Sequence, residues 1–277
     1  GGTVSCGGCG SSESCSAGVC VADPVTPPPT GDPVRPWAHN TGPSNPSALV
    51  PRGGMTITTN GAVYENIDVT GDIWIDADNV TIRNFRINAS GVSYGINVLD
   101  GHKGVLIEDG EIYNMSSAAI LGVGYTARRL HVHDSSGDGI KAQGSAAGPT
   151  LVEYCFIEKL GRGAEAHADG NQTRGGSNTT FRYNNIYMPA PGSANHPGGP
   201  YKANATFFMQ LDVSNFVIEN NWLNGGGYTV YCIDSGASGV TVRNNIFGRD
   251  YDFGVLSGDC AQWSGNVWED NGQTVSP

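Results

Sequence analysis

Charge is scarce in this 277-residue chain, and what there is leans to one sign. Only 15% of residues are charged, with 15 Lys and Arg against 26 Asp and Glu, for a formal net charge of −11. A surface this acidic repels phosphate backbones, so nucleic acid is not an expected partner. Long apolar runs are missing as well. None approaches the ~20 residues that span a bilayer, and no membrane insertion is expected. Stretches that could make a long amphipathic helix are few. Neither an initiating Met nor a signal peptide opens the chain, which starts Gly1-Gly2; the expectation is a processed or trimmed N-terminus.

Turn formers and strand formers are abundant instead. The chain has 41 Gly and 15 Pro, with Val, Ile, Thr and Asn throughout. That composition reads as all-β with many tight turns. The length suffices for one long domain or two small ones.

Four of the 7 Cys, namely Cys6, Cys9, Cys15 and Cys20, fall in the first twenty residues. So short a segment cannot make a core, and two disulfides are its expected staple. A zinc site is the alternative, although only Cys6 and Cys9 have the C-x2-C spacing. A Pro-rich stretch, "ADPVTPPPTGDPVRP", follows and reads as an extended linker. The expected organisation is a Cys-rich leader over 1–22, a linker over 23–36 and one domain over 37–277. Such leaders occur on exported bacterial proteins, so the expected location is extracellular and the expected state monomeric.

From about Gly53 the chain repeats itself. The segments "VTIRNFRI", "VLIEDGEI", "YTARRLHV", "TLVEYCFI", "TTFRYNNI", "FVIENNWL", "VTVRNNIF" and "AQWSGNVW" align with positions three and eight apolar throughout. They close on Ile87, Ile112, Val132, Ile157, Ile186, Leu223, Phe247 and Trp268, at spacings of 25, 20, 25, 29, 37, 24 and 21 residues. Two short strands in a unit of 20–30 residues mark a β-solenoid. In the last four segments position six is Asn184, Asn221, Asn245 and Asn266, and an Asn ladder along the axis is expected. A third short strand lies between segments, as in "YGINVLD", "DGIKAQG" and "ADGNQTR". From Gly53 to Pro277, and most clearly over "GDIWIDADNVTIRNFRI", the chain resembles the right-handed parallel β-helix superfamily of pectate-lyase-like proteins. The resemblance implies an all-β, right-handed, single-stranded parallel β-helix of about eight to ten coils.

The phrases "SGDGIKAQG" and "HADGNQTRG" repeat 31 residues apart. In stacked coils they place Lys141 beside Gln172 and Asp138 beside Asp169, with Gln210 and Tyr231 continuing the row. Gln143 and Arg174 fall one step further on. His167 is expected at the strand mouth near Asp134 and Ser136. The long 37-residue unit should form a wall from which His196, Tyr201 and Lys202 overhang the groove.

For β-elimination on a uronic-acid polysaccharide, Lys141 is the expected base. Arg174 supplies positive charge, and His167 or Tyr231 donates the proton. Gln143, Gln172, Gln210 and Lys202 would bind substrate. Asp134, Asp138 and Asp169 could hold Ca2+, which would reconcile an acidic protein with an acidic polymer. Two other readings stand beside elimination: hydrolysis by the stacked aspartates, and a non-catalytic glycan-binding or surface solenoid. His131 and His133 form an H-x-H pair with the spacing of metal ligands. Cys155 is expected to be a buried free thiol, and Cys232 and Cys260 a disulfide between coils. Residues 37–51 are expected to cap the first coil, and Trp263 and Trp268 the last.

Overall fold

A computed structural model describes residues 34–163, 166–233 and 239–277 in full, and the strands Glu13–Ser16 and Val19–Ala22 by their backbone. The chain divides into two compact units, Gly1–Val34 and Arg35–Pro277. In the first, the two short strands pair antiparallel with Cys15 opposite Cys20. The disulfides or zinc expected in the leader lie outside the described residues. The second unit begins two residues earlier than Trp37. Arg35 is tied into it by ion pairing with Glu269 and by donating to Asn185 Oδ1 at 3.2 Å.

The second unit is a parallel β-helix. Among the described residues its strands pair with equivalents one coil away, in three ladders, and an isolated antiparallel bridge joins Val267 to Thr274. Strand Val63–Ile75 shows all three: 63–65 pairs with 81–83, 67–70 with 85–88, and 73–75 with 96–98. The faces are named here sheet B (residues 81–83 and equivalents), sheet C (85–88) and sheet A (96–98). Three parallel faces per coil require each strand to present one side inward. The aligned apolar positions do this. Ile87, Ile112, Val132, Ile157, Ile186, Leu223 and Phe247 are successive rungs, all fully buried, and Trp268 closes the row. Ile82, Ile107, Ala127, Val152, Phe181, Ile218 and Val242 form the matching row of sheet B. The only helical element among the described residues is the short 3-10 turn Pro46–Ala48.

The expected Asn ladder lines the corner between sheets B and C. The Nδ2 of Asn184 donates to Asn221 Oδ1 at 3.0 Å, Asn221 to Asn245 at 3.0 Å, and Asn245 to Asn266 at 3.1 Å. Each Asn Oδ1 also accepts a backbone N–H from the preceding coil. Where the ladder stops, Cys155 takes the same place as a buried thiol, and burial pushes it up to about 12. Outside sheet B runs a second ladder: Glu65, Arg83, Glu108, Arg128, Glu153, Arg182, Glu219 and Arg243 occupy successive rungs with alternating sign. Arg128 meets Glu108 at 2.7 Å, Arg182 meets Glu153 at 2.8 Å and Arg243 meets Glu219 at 2.6 Å.

At the last coil Trp263 Nε1 donates to Val275 O at 2.9 Å, and Val275, on the returning tail, is buried. Of residues 37–51, expected as the first coil's cap, 37–49 are instead a strap along the outside of sheet C, and Val50 and Pro51 open the first strand, pairing with Ile67 and Asp68. Trp37 packs on Phe156 and Tyr187, Gly42 N–H donates to Arg129 O, and Asn45 N–H donates to Asn84 Oδ1. The Cys232–Cys260 disulfide joins neighbouring coils as expected.

Coil stacking leaves little room at the corners. Gly225 has φ +100, and a Cβ there would lie 1.8 Å from Met188 O on the adjacent coil. Gly225→Ala adds backbone strain to an overlap that the stacked backbone cannot relieve. A loss of about 3 kcal/mol or more is expected, read as a fall in the urea midpoint. An unchanged midpoint would mean the coils are not stacked this closely.

Candidate functional site

Sheet A faces outward with a mixed row of side chains. In order along the axis the rungs are Trp74, Asn97, Leu121, Lys141, Gln172, Phe208, Tyr231 and Ser257. Lys141 and Gln172 are neighbours, as the repeated phrase predicts. Gln210 is not in their row. It pairs with Arg174, and Phe208 takes the place beside Gln172. The register of this pair shifts twice, between Ala168 and Asp169 and between Arg174 and Gly176, so no single spacing locates the partner of Gln172. Tyr231 is in the row but three rungs from Lys141. At about 4.8 Å per rung it stands roughly 14 Å away, too far to act on the same sugar bond. It belongs to an aromatic platform: Phe208 and Tyr231 lie 5.4 Å apart, Tyr231 and Tyr228 5.4 Å, and Tyr228 and the exposed Phe253 5.6 Å.

The centre of the row is a polar cluster built on two buried carboxyls. Lys141 Nζ lies 3.1 Å from Asp138 Oδ2 and donates to Ser117 Oγ at 3.0 Å. Asp138 Oδ1 accepts Asp169 N–H at 2.8 Å. Asp169 accepts from Asn204 Nδ2 at 2.9 Å and from Gln172 Nε2 at 3.3 Å. Both side chains share the inward phase of Ile140 and are 4% and 1% exposed. Burial raises Asp138, and burial together with the neighbouring Asp138 charge holds Asp169 well above the usual carboxylate range. Ser117 and Asn204 were not anticipated from sequence. Each comes from an adjacent coil, and no motif marks it.

This arrangement has a pH signature. A carboxyl raised in the folded state binds its proton more tightly there than in the unfolded chain. It therefore subtracts stability as pH climbs above the ordinary aspartate value of 3.8, until the folded group ionises. Asp169→Asn does not titrate. The unfolding free energy of the parent minus that of Asp169→Asn should fall as pH rises from about 4 and then level off. Urea melts across pH check this, and a pH-independent difference would mean that Asp169 is not raised.

Beyond Lys141 the face opens into a groove of about 450 Å³ lined by Asn97, Leu99, Asp100, Leu121, Gln143 and Arg174. Gln143 and Arg174 therefore share a surface, as expected. His167 is exposed at the residue before strand Ala168–Arg182, on the coil after Lys141. It is not joined to Asp134. That carboxylate accepts from Tyr201 Oη and lies 2.7 Å from His133 Nδ1, on the sheet C side. So Asp134, Asp138 and Asp169 do not converge. The oxygens of the buried pair are taken up by Lys141, Asn204, Gln172 and a backbone N–H. This does not fit a calcium ion, which takes six to eight oxygens.

The long segment also differs from the expected overhang. Ser193 and Asn195 bond to Asp250, His196 Nε2 lies 3.0 Å from its own loop's Tyr201 O, and Tyr201 turns to Asp134. Lys202 is anchored through its N–H to Gly161 O at 3.0 Å.

A family model described as a right handed beta helix region matches residues 70–271. No curated protein sequence matches the chain. Among solved structures, the catalytic domain of a GH87 α-1,3-glucanase in complex with nigerose is similar, with a TM-score of 0.51 and 14% identity over 76% of this chain and 50% of that one. The chain thus spans about half of that neighbour's length. An alginate lyase in complex with G6 has a TM-score of 0.47 and 11% identity over 79% and 57% of the two chains. An alginate lyase from Paenibacillus sp. str. FPU-7 has a TM-score of 0.44 and 14% identity over 80% and 88%. At these identities the likeness is one of fold. No described helix is long and apolar enough to cross a membrane.

Proposed function

This chain belongs to the right-handed β-helix family, and from that premise we propose that it is an extracellular carbohydrate-active enzyme, a lyase that cuts a uronic-acid polysaccharide by β-elimination. The observation that carries the reading is the outer row of sheet A. It passes from an aromatic platform, through Lys141 over its buried carboxyls, into a polar groove ending at Arg174. Flat rings suit sugar faces, and a row along the axis suits an extended polymer. The α-1,3-glucanase is an example of a carbohydrate enzyme on this fold, which is support by analogy.

Elimination needs a group to take the C5 proton, positive charge opposite the uronate and a donor for the leaving oxygen. Asp138, 3.1 Å from Lys141 Nζ, and Ser117 Oγ at 3.0 Å hold the amine in place. In its neutral form the amine accepts the C5 proton as the C4–O bond breaks. Arg174 in the groove faces the uronate carboxylate, while Gln143 and Gln172 hold hydroxyl groups. His167, exposed at the mouth of the next coil's strand, donates to the leaving oxygen. Asp138 and Asp169 are too enclosed to reach a glycosidic bond themselves, so elimination is favoured over hydrolysis by the pair.

The test is a panel of pectate, alginate, glucuronan and chondroitin, followed by the ultraviolet absorbance of the unsaturated uronate that elimination creates. A rise on one polymer supports the reading. Reducing ends without that absorbance would assign hydrolysis, and binding without cleavage would assign a glycan-binding solenoid.

A further inference from the structure

The outer face of sheet C carries a cluster that the groove does not use. On strand His131–His133 the middle residue, Val132, is in the core, so both imidazoles project outward on one side. Glu111 occupies the rung before His131, and Tyr113 the rung before His133. One ligand atom from each of Glu111, His131 and His133 lies within 4.8 Å of the other two.

The rings are held in place. Tyr113 stacks on His133 at 5.4 Å and 3°, Phe156 stacks on His131 at 5.3 Å and 18°, and the two imidazoles sit 4.2 Å apart. His133 Nδ1 lies 2.7 Å from Asp134 Oδ2 and donates its hydrogen there. The other ring nitrogen, Nε2, faces a second carboxylate, Glu111 Oε1, at 3.0 Å. A ring nitrogen and a carboxylate oxygen this close share either a proton or a cation. A carboxylate behind one ring nitrogen, with the other nitrogen presented outward, is the arrangement that orients metal-bound histidine. Glu158 Oε1, 3.1 Å from His131 Nε2, adds a second carboxylate at the edge.

We propose that Glu111, His131 and His133 bind one divalent transition-metal ion of the zinc class. Two imidazole nitrogens and one carboxylate oxygen suit that class, whereas calcium and magnesium prefer all-oxygen shells. The consequence reaches the long loop. Asp134, which orients His133, also accepts from Tyr201 Oη, so the ion fixes residues 189–202 through His133, Asp134 and Tyr201.

The test uses the full chain, stripped with EDTA and titrated with Co2+ and Zn2+. One equivalent should bind, with visible cobalt absorption bands and a rise in the melting temperature. Glu111→Gln and His131→Ala should each abolish the bands, while Asp134→Asn should weaken binding by about 10–100-fold. Circular dichroism of the metal-free variants checks their fold, and nearly isosteric Glu111→Gln decides the matter if His131→Ala fails to fold. No cobalt bands would overturn the proposal and leave a shared proton at His133. An equivalent that survives Glu111→Gln, with thiolate charge-transfer absorption, would overturn it in favour of the leader cysteines. Polymer cleavage is measured separately, so neither failure bears on the groove.

Discussion

Asn221→Ala should melt roughly 5–15 °C below the parent chain in a calorimetric scan, taking about 2–4 °C per kcal/mol for a domain of this size. The side chain is fully buried and makes four bonds. Its Nδ2 donates to Phe181 O at 3.0 Å and to Asn245 Oδ1 at 3.0 Å. Its Oδ1 accepts the Asn184 N–H at 2.9 Å and Asn184 Nδ2 at 3.0 Å. Alanine leaves the Asn184 N–H and the Phe181 carbonyl without partners inside the solenoid, at about 1–3 kcal/mol each. Because the ladder is continuous, the neighbours at Asn184 and Asn245 also lose a partner. A drop under about 2 °C would mean that water or a shifted backbone replaces the ladder.

The second large effect is on turnover. Lys141→Ala should lower the elimination rate by about 10²–10⁴-fold, the range for a removed acid–base group. The same substitution should leave polymer binding within a few-fold, since the aromatic platform and the groove flank it. Tyr231→Ala gives the opposite pattern, with KM raised and kcat nearly kept, because its ring stands three rungs from the reacting bond. Asp138→Asn should follow Lys141→Ala in kcat without matching Tyr231→Ala in KM. An active Lys141→Ala would remove the amine from the chemistry and leave His167 or Arg174 to be tested in its place.

The inward rows were legible from Ile87 to Trp268, because core contacts force one residue type at a fixed position in each coil. The Asn ladder was legible for the same reason. So were the stacking of Lys141 on Gln172 and the Cys232–Cys260 pairing, since each needs only a count of residues per coil. The exchange of Gln210 for Phe208 was not, because the register of that strand pair shifts along its length and a count of residues per coil assumes that it does not. The strap over sheet C was hidden too. Trp37, Gly42 and Asn45 make contacts set by shape, with no period to betray them. The grouping of Glu111 with His131 and His133 needed the rung alignment, although the H-x-H spacing was already in view. The alternating Glu and Arg of sheet B stood at position four of the aligned segments, where a reading of apolar positions alone passes over them.

That alternation imposes a parity on the molecule. Rung by rung, Glu65 through Arg243 changes sign, so each coil's proper neighbour is one of opposite charge. Duplicating a single coil would set Arg against Arg or Glu against Glu, and the nearly buried Glu108 and Glu153 could not turn away to water. Duplicating a consecutive pair would preserve the alternation at both seams. The solenoid can therefore lengthen or shorten two coils at a time, and its unit of growth is twice its unit of structure.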